Sequence, residues 1–162
     1  MRKLLAASLA ALALASASAA SARPFTATDL ATLRRLGAPT VSPDGRWVAY
    51  QLSETDLEAN RRRTDLWLLE LGRPGAEPVR IASTAEHSEH DPRFGPDGRW
   101  LYFLSGASGS EQLWRVALPD GTPERVTDFS TSISGYHIAP NGERIAIWAD
   151  RHLDCADIDC PN

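Results

Sequence analysis

The chain has 162 residues, 43% of them hydrophobic, with 17 basic and 21 acidic groups and a formal net charge of −4. That acidic balance argues against nucleic acid as a partner, because phosphate binding needs a basic face. No segment beyond the amino terminus is long and apolar enough to be a membrane span.

The first 22 residues read as a secretory signal peptide. Arg2-Lys3 supplies a positive start, Leu4 to Leu14 an eleven-residue apolar stretch, and Ala20-Ser21-Ala22 a small-x-small cleavage site. Cleavage after Ala19 is the alternative. The stretch falls short of the ~20 residues that cross ~30 Å of hydrocarbon. No cysteine lies near the site, which argues against a lipid anchor. The expectation is an exported protein, periplasmic or secreted. Removing the leader leaves fifteen arginines against 21 acidic groups, a net of about −6, and no lysine, since Lys3 is the single one.

Residues 23–37 read as a lead-in helix. Thr28 or Asp29 would cap it, Leu30, Leu33 and Leu36 would share a face, and Gly37 and Pro39 would end it.

Five residues then occur twice. Pro43-Asp44-Gly45-Arg46-Trp47 returns as Pro96-Asp97-Gly98-Arg99-Trp100, and a worn copy follows at Pro140-Asn141-Gly142-Glu143-Arg144. The spacings match the length of one four-stranded propeller blade with a variable loop. The motif has a mechanism as a turn. Proline presets φ at the first central position, Asp or Asn suits the second, and glycine accepts the positive φ of a following bulge.

Short segments precede each copy, at 39–41, 92–94 and 136–138. Apolar runs rich in aromatic and β-branched residues follow each, at 47–50, 100–104 and 145–148; both kinds of segment read as strands. Asp65-Leu66-Trp67-Leu68-Leu69-Glu70-Leu71 and Gln112-Leu113-Trp114-Arg115-Val116-Ala117-Leu118 match as third strands, with short last strands at 79–81 and 124–127. The fold expected is all-β: an incomplete β-propeller over residues 38–162, with blades at roughly 38–83 and 90–128 and a partial one at 133–162. All five tryptophans fall on strands and read as packing between sheets.

Segments between the strands read as solvated loops. They include Ser53 to Arg63 with its three consecutive arginines, and His87-Ser88-Glu89-His90-Asp91. Gly106-Ala107-Ser108-Gly109-Ser110 lacks the glycine that a nucleophile elbow places two residues after its serine, and reads as a turn. Cys155 and Cys160, with four residues between them, read as a local disulfide, with free thiols or a metal site as alternatives. No complete catalytic constellation, metal site or cofactor motif is present in the sequence. Two and a half blades cannot close a ring of ~4–8, so the chain is expected to be the amino-terminal part of a longer protein.

The order of leader, leucine-bearing helix, Ser42-Pro43-Asp44-Gly45-Arg46-Trp47-Val48-Ala49-Tyr50 and Asp65-Leu66-Trp67 resembles the start of the prolyl oligopeptidase family. Its exported dipeptidyl aminopeptidase/acylaminoacyl peptidase type is the nearest likeness. Phe25-Thr26-Ala27-Thr28-Asp29-Leu30 and Asp154-Cys155-Ala156-Asp157 add to the resemblance. It implies an amino-terminal propeller that gates an α/β-hydrolase domain, where a Ser–Asp–His triad cleaves short peptides by acyl transfer. That domain would hold the peptide substrate, and none of its catalytic residues occurs here. The chain alone is therefore expected to be inactive. Periplasmic Tol-type propellers share the turn motif, so a non-catalytic module that binds protein or glycan is the other reading.

Overall fold

The computed structural model describes residues 23–81 and 86–150. The expected leader and the Cys155–Cys160 loop lie outside the described residues. The chain divides into two compact units after Leu30.

In the first unit helix α1, Ala27–Thr32, begins. Its cap is Thr26, not Thr28 or Asp29. The Asp29 amide donates to Thr26 Oγ1 at 3.2 Å, and the Asp29 carboxylate accepts from the Thr26 amide at 2.8 Å. This is the reciprocal pattern of a capping box, with Asp in the place of Glu. Arg23 pairs with the same carboxylate. That ion pair, and then the Thr26 bonds, hold the Asp29 carboxyl below its usual range. The expected helix over 23–37 is thus shorter than the leucine spacing suggests. Leu36 lies in a strand and is exposed, as are Leu30 and Leu33.

The described residues of the second unit form three antiparallel sheets. The first contains β1 (Arg35–Leu36), β2 (Thr40–Val41), β3 (Trp47–Asp56), β4 (Arg61–Glu70) and β5 (Val79–Ile81) in the order β1-β3-β4-β5, with β2 also paired to β3. Thus β1 and β2 are two pieces of one first strand. β1 aligns Leu36 with Leu52, β2 aligns Thr40 with Ala49, and the Gly37 amide between them donates to the Gln51 carbonyl at 2.8 Å. The second sheet runs β6 (Glu89–Phe94), β7 (Trp100–Ser105), β8 (Gln112–Ala117), β9 (Glu124–Arg125) in sequence order. The third pairs β10 (Gly135–Ile138) with β11 (Ile145–Trp148).

The middle sheet shows why the sheets stack. Side chains alternate faces along a strand. Phe103 opposes Trp114 and Leu101 opposes Val116; together with Ala49, Leu66, Leu68 and Ile81 of the first sheet, Leu101, Phe103 and Val116 form one buried cluster, against which Trp114 packs. The alternate residues Leu104 and Leu113 join Ile133 and Tyr136 in a second cluster, against which Ile138, Ile145 and Ile147 of the third sheet pack. Burying each such side chain contributes about 1.5–3 kcal/mol. Trp148 does not pack this way. It is 51% exposed, because it points to the far face of β11.

The segment read as an arginine-rich loop is a strand extension. β3 and β4 continue as a two-stranded ribbon, pairing Glu54 with Arg63, Thr55 with Arg62 and Asp56 with Arg61, and turning through Asn60 at φ 47°. The sequence hid it because the alternation there is polar on both faces. Opposite charges face each other across the strands, and Ser53 and Thr64 share a 2.7 Å hydroxyl contact.

All three motif turns fold alike. The amides of Gly45, Gly98 and Gly142 donate to the carbonyls three residues back at 2.8–2.9 Å, and the three glycines sit at φ 70°, 69° and 73°. The side-chain oxygens of Asp44, Asp97 and Asn141 each accept from the amide two residues on, at 3.0, 3.0 and 3.2 Å. The Ser42 hydroxyl and then the Arg46 amide hold the Asp44 carboxyl below its usual range. The turns also touch. A methyl built on Gly98 would lie 3.6 Å from Pro43 Cδ, and one on Gly142 would lie 3.1 Å from Pro96 Cγ, whereas one on Gly45 would meet nothing within 4 Å. Gly45→Ala and Gly98→Ala are therefore expected to lose about 1–2 kcal/mol from the left-handed φ alone. Gly142→Ala should lose more. Adding Pro96→Ala should recover the excess at Gly142 and nothing at Gly45, as urea unfolding midpoints would show.

Candidate functional site

The first strand of each blade lies nearest the axis of a propeller, and here the first strands of the first two sheets depart from regularity at related positions. In the first sheet the break falls at Gly37–Pro39. In the second the register shifts between His90 and Arg93, and Asp91 takes φ 49°. In the third the strand begins at Gly135, whose backbone is covered by the Trp148 ring. Residues 89–91 are thus part of β6 and not the solvated loop that their polarity suggested. Glu89 is fully buried, opposite Ser105.

Asp91 is the meeting point of the three sheets. Its amide donates to Gln51 Oε1 of the first sheet at 3.2 Å. Its carbonyl accepts from the Tyr136 hydroxyl of the third at 2.7 Å. Its carboxylate receives Arg93 at 3.1–3.3 Å, and that guanidinium lies 5.4 Å from the centre of the Tyr136 ring. Burial, followed by the Asp91 charge, raises the Tyr136 phenol above its ordinary value, so it remains a neutral donor. A cavity of about 260 Å³ opens beside this cluster, lined by Pro39, Thr40, Gln51, Asp91 and Arg93 among others. Its walls carry the Asp91 carboxylate, the Arg93 guanidinium and the Thr40 hydroxyl.

A second cluster fixes the crossover into the third sheet. The buried Gln112 amide nitrogen lies within 2.9–3.0 Å of Ser110 Oγ and the carbonyls of Phe129 and Thr131. Its oxygen accepts from Thr127 Oγ1 at 2.8 Å and from the Phe129 amide at 3.1 Å. Beside it, His90 Nε2 stands 3.3 Å from Glu111 Oε1. Desolvation raises the Glu111 carboxyl, with His90 partly offsetting it.

The motif residues Pro43, Asp44, Gly45, Pro96, Asp97, Gly98, Pro140, Asn141 and Gly142 all lie in turns and frame the sheets rather than a reaction centre. His137 is exposed on β10. A larger cavity of about 460 Å³ lies by the ribbon, among Arg34, Glu54, Asp56, Arg61 and Arg63, where charges of both signs offset one another. Among the described residues no group of three or more His, Cys, Asp or Glu side chains could hold a metal ion, and no helix is long and apolar enough to cross a membrane. Sequence reasoning passed over Gln51, Asp91, Arg93, Gln112 and Tyr136. The paired prolines Pro39 and Pro92, four residues ahead of each turn, were the available signal for the strand irregularity.

No family model matches the chain. It is 30% identical over 124 residues to the uncharacterized peptidase YuxL of Bacillus subtilis and 30% over 125 residues to dipeptidyl-peptidase 5 of Porphyromonas endodontalis, 76% of the chain in each case. It spans only 18% of the length of either relative. Among solved structures it is similar to the acylaminoacyl peptidase of Pyrococcus horikoshii (TM-score 0.61, 20% identity, 79% of this chain and 19% of that one). It is also similar to the β-propeller domain of the trilobed protease of Pyrococcus furiosus (TM-score 0.54, 18% identity, 72% and 34%) and to a putative TolB of Agrobacterium tumefaciens (TM-score 0.53, 26% identity, 72% and 39%). The chain is therefore a partial β-propeller whose relatives by sequence include peptidases.

Two outcomes test the site. Tyr136→Phe leaves the Asp91 carbonyl without its donor and should cost about 1–3 kcal/mol, read from thermal or urea unfolding. Glu111→Gln tests the raised carboxyl. A carboxyl raised in the folded state favours folding while protonated, and that contribution is lost as pH rises through its folded value. The variant should therefore gain on the native chain above the usual carboxylate range and lose that advantage in acid, in unfolding curves taken across pH.

Proposed function

We propose that this chain is the propeller portion of an exported serine peptidase of the prolyl oligopeptidase family, forming a wall that restricts access to a separate hydrolase domain. The observation that carries this reading is the 30% identity to two bacterial peptidases over three quarters of the chain. The chemistry of the described residues fits a wall. The Asp91–Arg93 pair and the neutral Tyr136 hydroxyl are bonded to one another and to the neighbouring sheets, so they hold the inner strands in place and have no reacting group to activate. Short extended peptides are the substrate class, since only a narrow polymer passes such a wall. Hydrolysis in the whole protein would follow acyl transfer at a serine supplied by the other domain. The leader read at residues 1–22 supports export.

The second reading, a Tol-type propeller that binds a protein or glycan without catalysis, is favoured by the 26% identity to the putative TolB. One experiment separates them. An antibody raised against residues 23–150 should recognise, in the exported fraction of the source cells, a serine-reactive polypeptide several times longer than this chain that labels with a fluorophosphonate. A recognised band that never labels sinks the peptidase reading. The purified 162-residue chain by itself should neither label nor turn over a chromogenic dipeptide.

A further inference from the structure

The 260 Å³ cavity beside Asp91 lies between two sheets that share one buried cluster. Pro39, Thr40 and Gln51 line it from the first sheet, and Asp91, Pro92 and Arg93 from the second. Three donors on these walls are left over. Arg93 gives Nε and Nη2 to the Asp91 carboxylate, and its Nη1 has no partner among the described residues. Gln51 Oε1 accepts from the Asp91 amide, which fixes the orientation of the side-chain amide. Its Nε2 lies over Gly37, where a methyl would come within 2.4 Å of it, so only glycine there leaves room for that side chain. Among the described residues, neither this Nε2 nor the half-buried Thr40 hydroxyl donates to any partner.

The chemistry of the walls selects what these donors can meet. Asp91 already offsets the Arg93 charge, so a free anion would be repelled by the one as it is attracted by the other. Pro39 and Pro92 have no amide hydrogen, so an extended chain cannot add here as a further strand and must be gripped by side chains. An uncharged carbonyl with an N–H beside it matches both conditions. We infer that this cavity is a binding site for the main-chain amides of a short extended peptide. Arg93 Nη1, Gln51 Nε2 and the Thr40 hydroxyl donate to its carbonyl oxygens, and the Asp91 carboxylate accepts from its N–H. The volume is just below the ~300–1,000 Å³ of ordinary ligand pockets, so the site takes one or two residues. The choice of a peptide among amides rests on the function proposed above.

Nitrogen–proton NMR spectra of the full 162-residue chain, titrated with N-acetyl-glycyl-glycinamide, test it. The Asp91 amide and Arg93 Nε–H signals should shift and saturate at millimolar peptide. Sodium acetate should bind more weakly. Thr40→Val removes one donor, and Gln51→Glu removes another while keeping the acceptor for the Asp91 amide. Each should weaken peptide binding roughly three- to tenfold, with signal dispersion reporting whether the variant folds. Absence of saturable shifts at Asp91 and Arg93 would overturn the inference, as would acetate binding at least as tightly as the peptide, or folded variants that bind like the native chain. If the peptide fails to bind while the longer polypeptide labels with fluorophosphonate, this inference falls and the peptidase reading stands. Binding without any labelled polypeptide sinks that reading and leaves the amide site in place.

Discussion

The middle sheet is apolar on both faces, and that constraint governs the rest. A sheet with one buried face can end against solvent. One with two must be covered on each side, and the alternation of Phe103 and Leu101 with Leu104 shows the middle sheet meeting that demand through two separate clusters. Radial stacking is the arrangement that satisfies it for a series of similar sheets. The motif turns, the inner strands and the crossovers are all placed by that stacking.

Stacking alone leaves the inner strands free to slide. Asp91 prevents this by using its amide, carbonyl and carboxylate in three directions at once, a distribution that requires its left-handed backbone. Asn and Asp tolerate that conformation better than most residues, because a short polar side chain can bond locally. Gln112 performs the equivalent task for the crossover, where segments well separated in sequence must be tied to a strand end. Both residues are polar and act through several hydrogen bonds at once, so they fix position rather than add apolar burial.

Legibility in the sequence followed the range of the interactions. The motif turn was readable because proline, the Asx acceptor and glycine act within six residues, and the worn third copy kept all three functions with Asn141 in place of aspartate. The apolar runs on β7 and β8 were readable for the same reason. Asp91 was not, since its partners lie 40 and 45 residues away in other sheets. The ribbon of β3 and β4 escaped notice because cross-strand charge pairs carry no apolar period. The helix was overestimated because leucines spaced three apart mimic a buried face, while the actual stop comes from the chain turning into β1.

Strand order carries a consequence for synthesis. Within the second sheet every strand pairs with its neighbour in sequence, and in the first the only departure is the split initial strand. Each sheet can therefore assemble as soon as its last strand has left the ribosome, without waiting for distant residues. Its trailing face nevertheless stays wet until the next sheet emerges, so maturation proceeds as a succession of half-finished surfaces, each sheltered by the arrival of its successor.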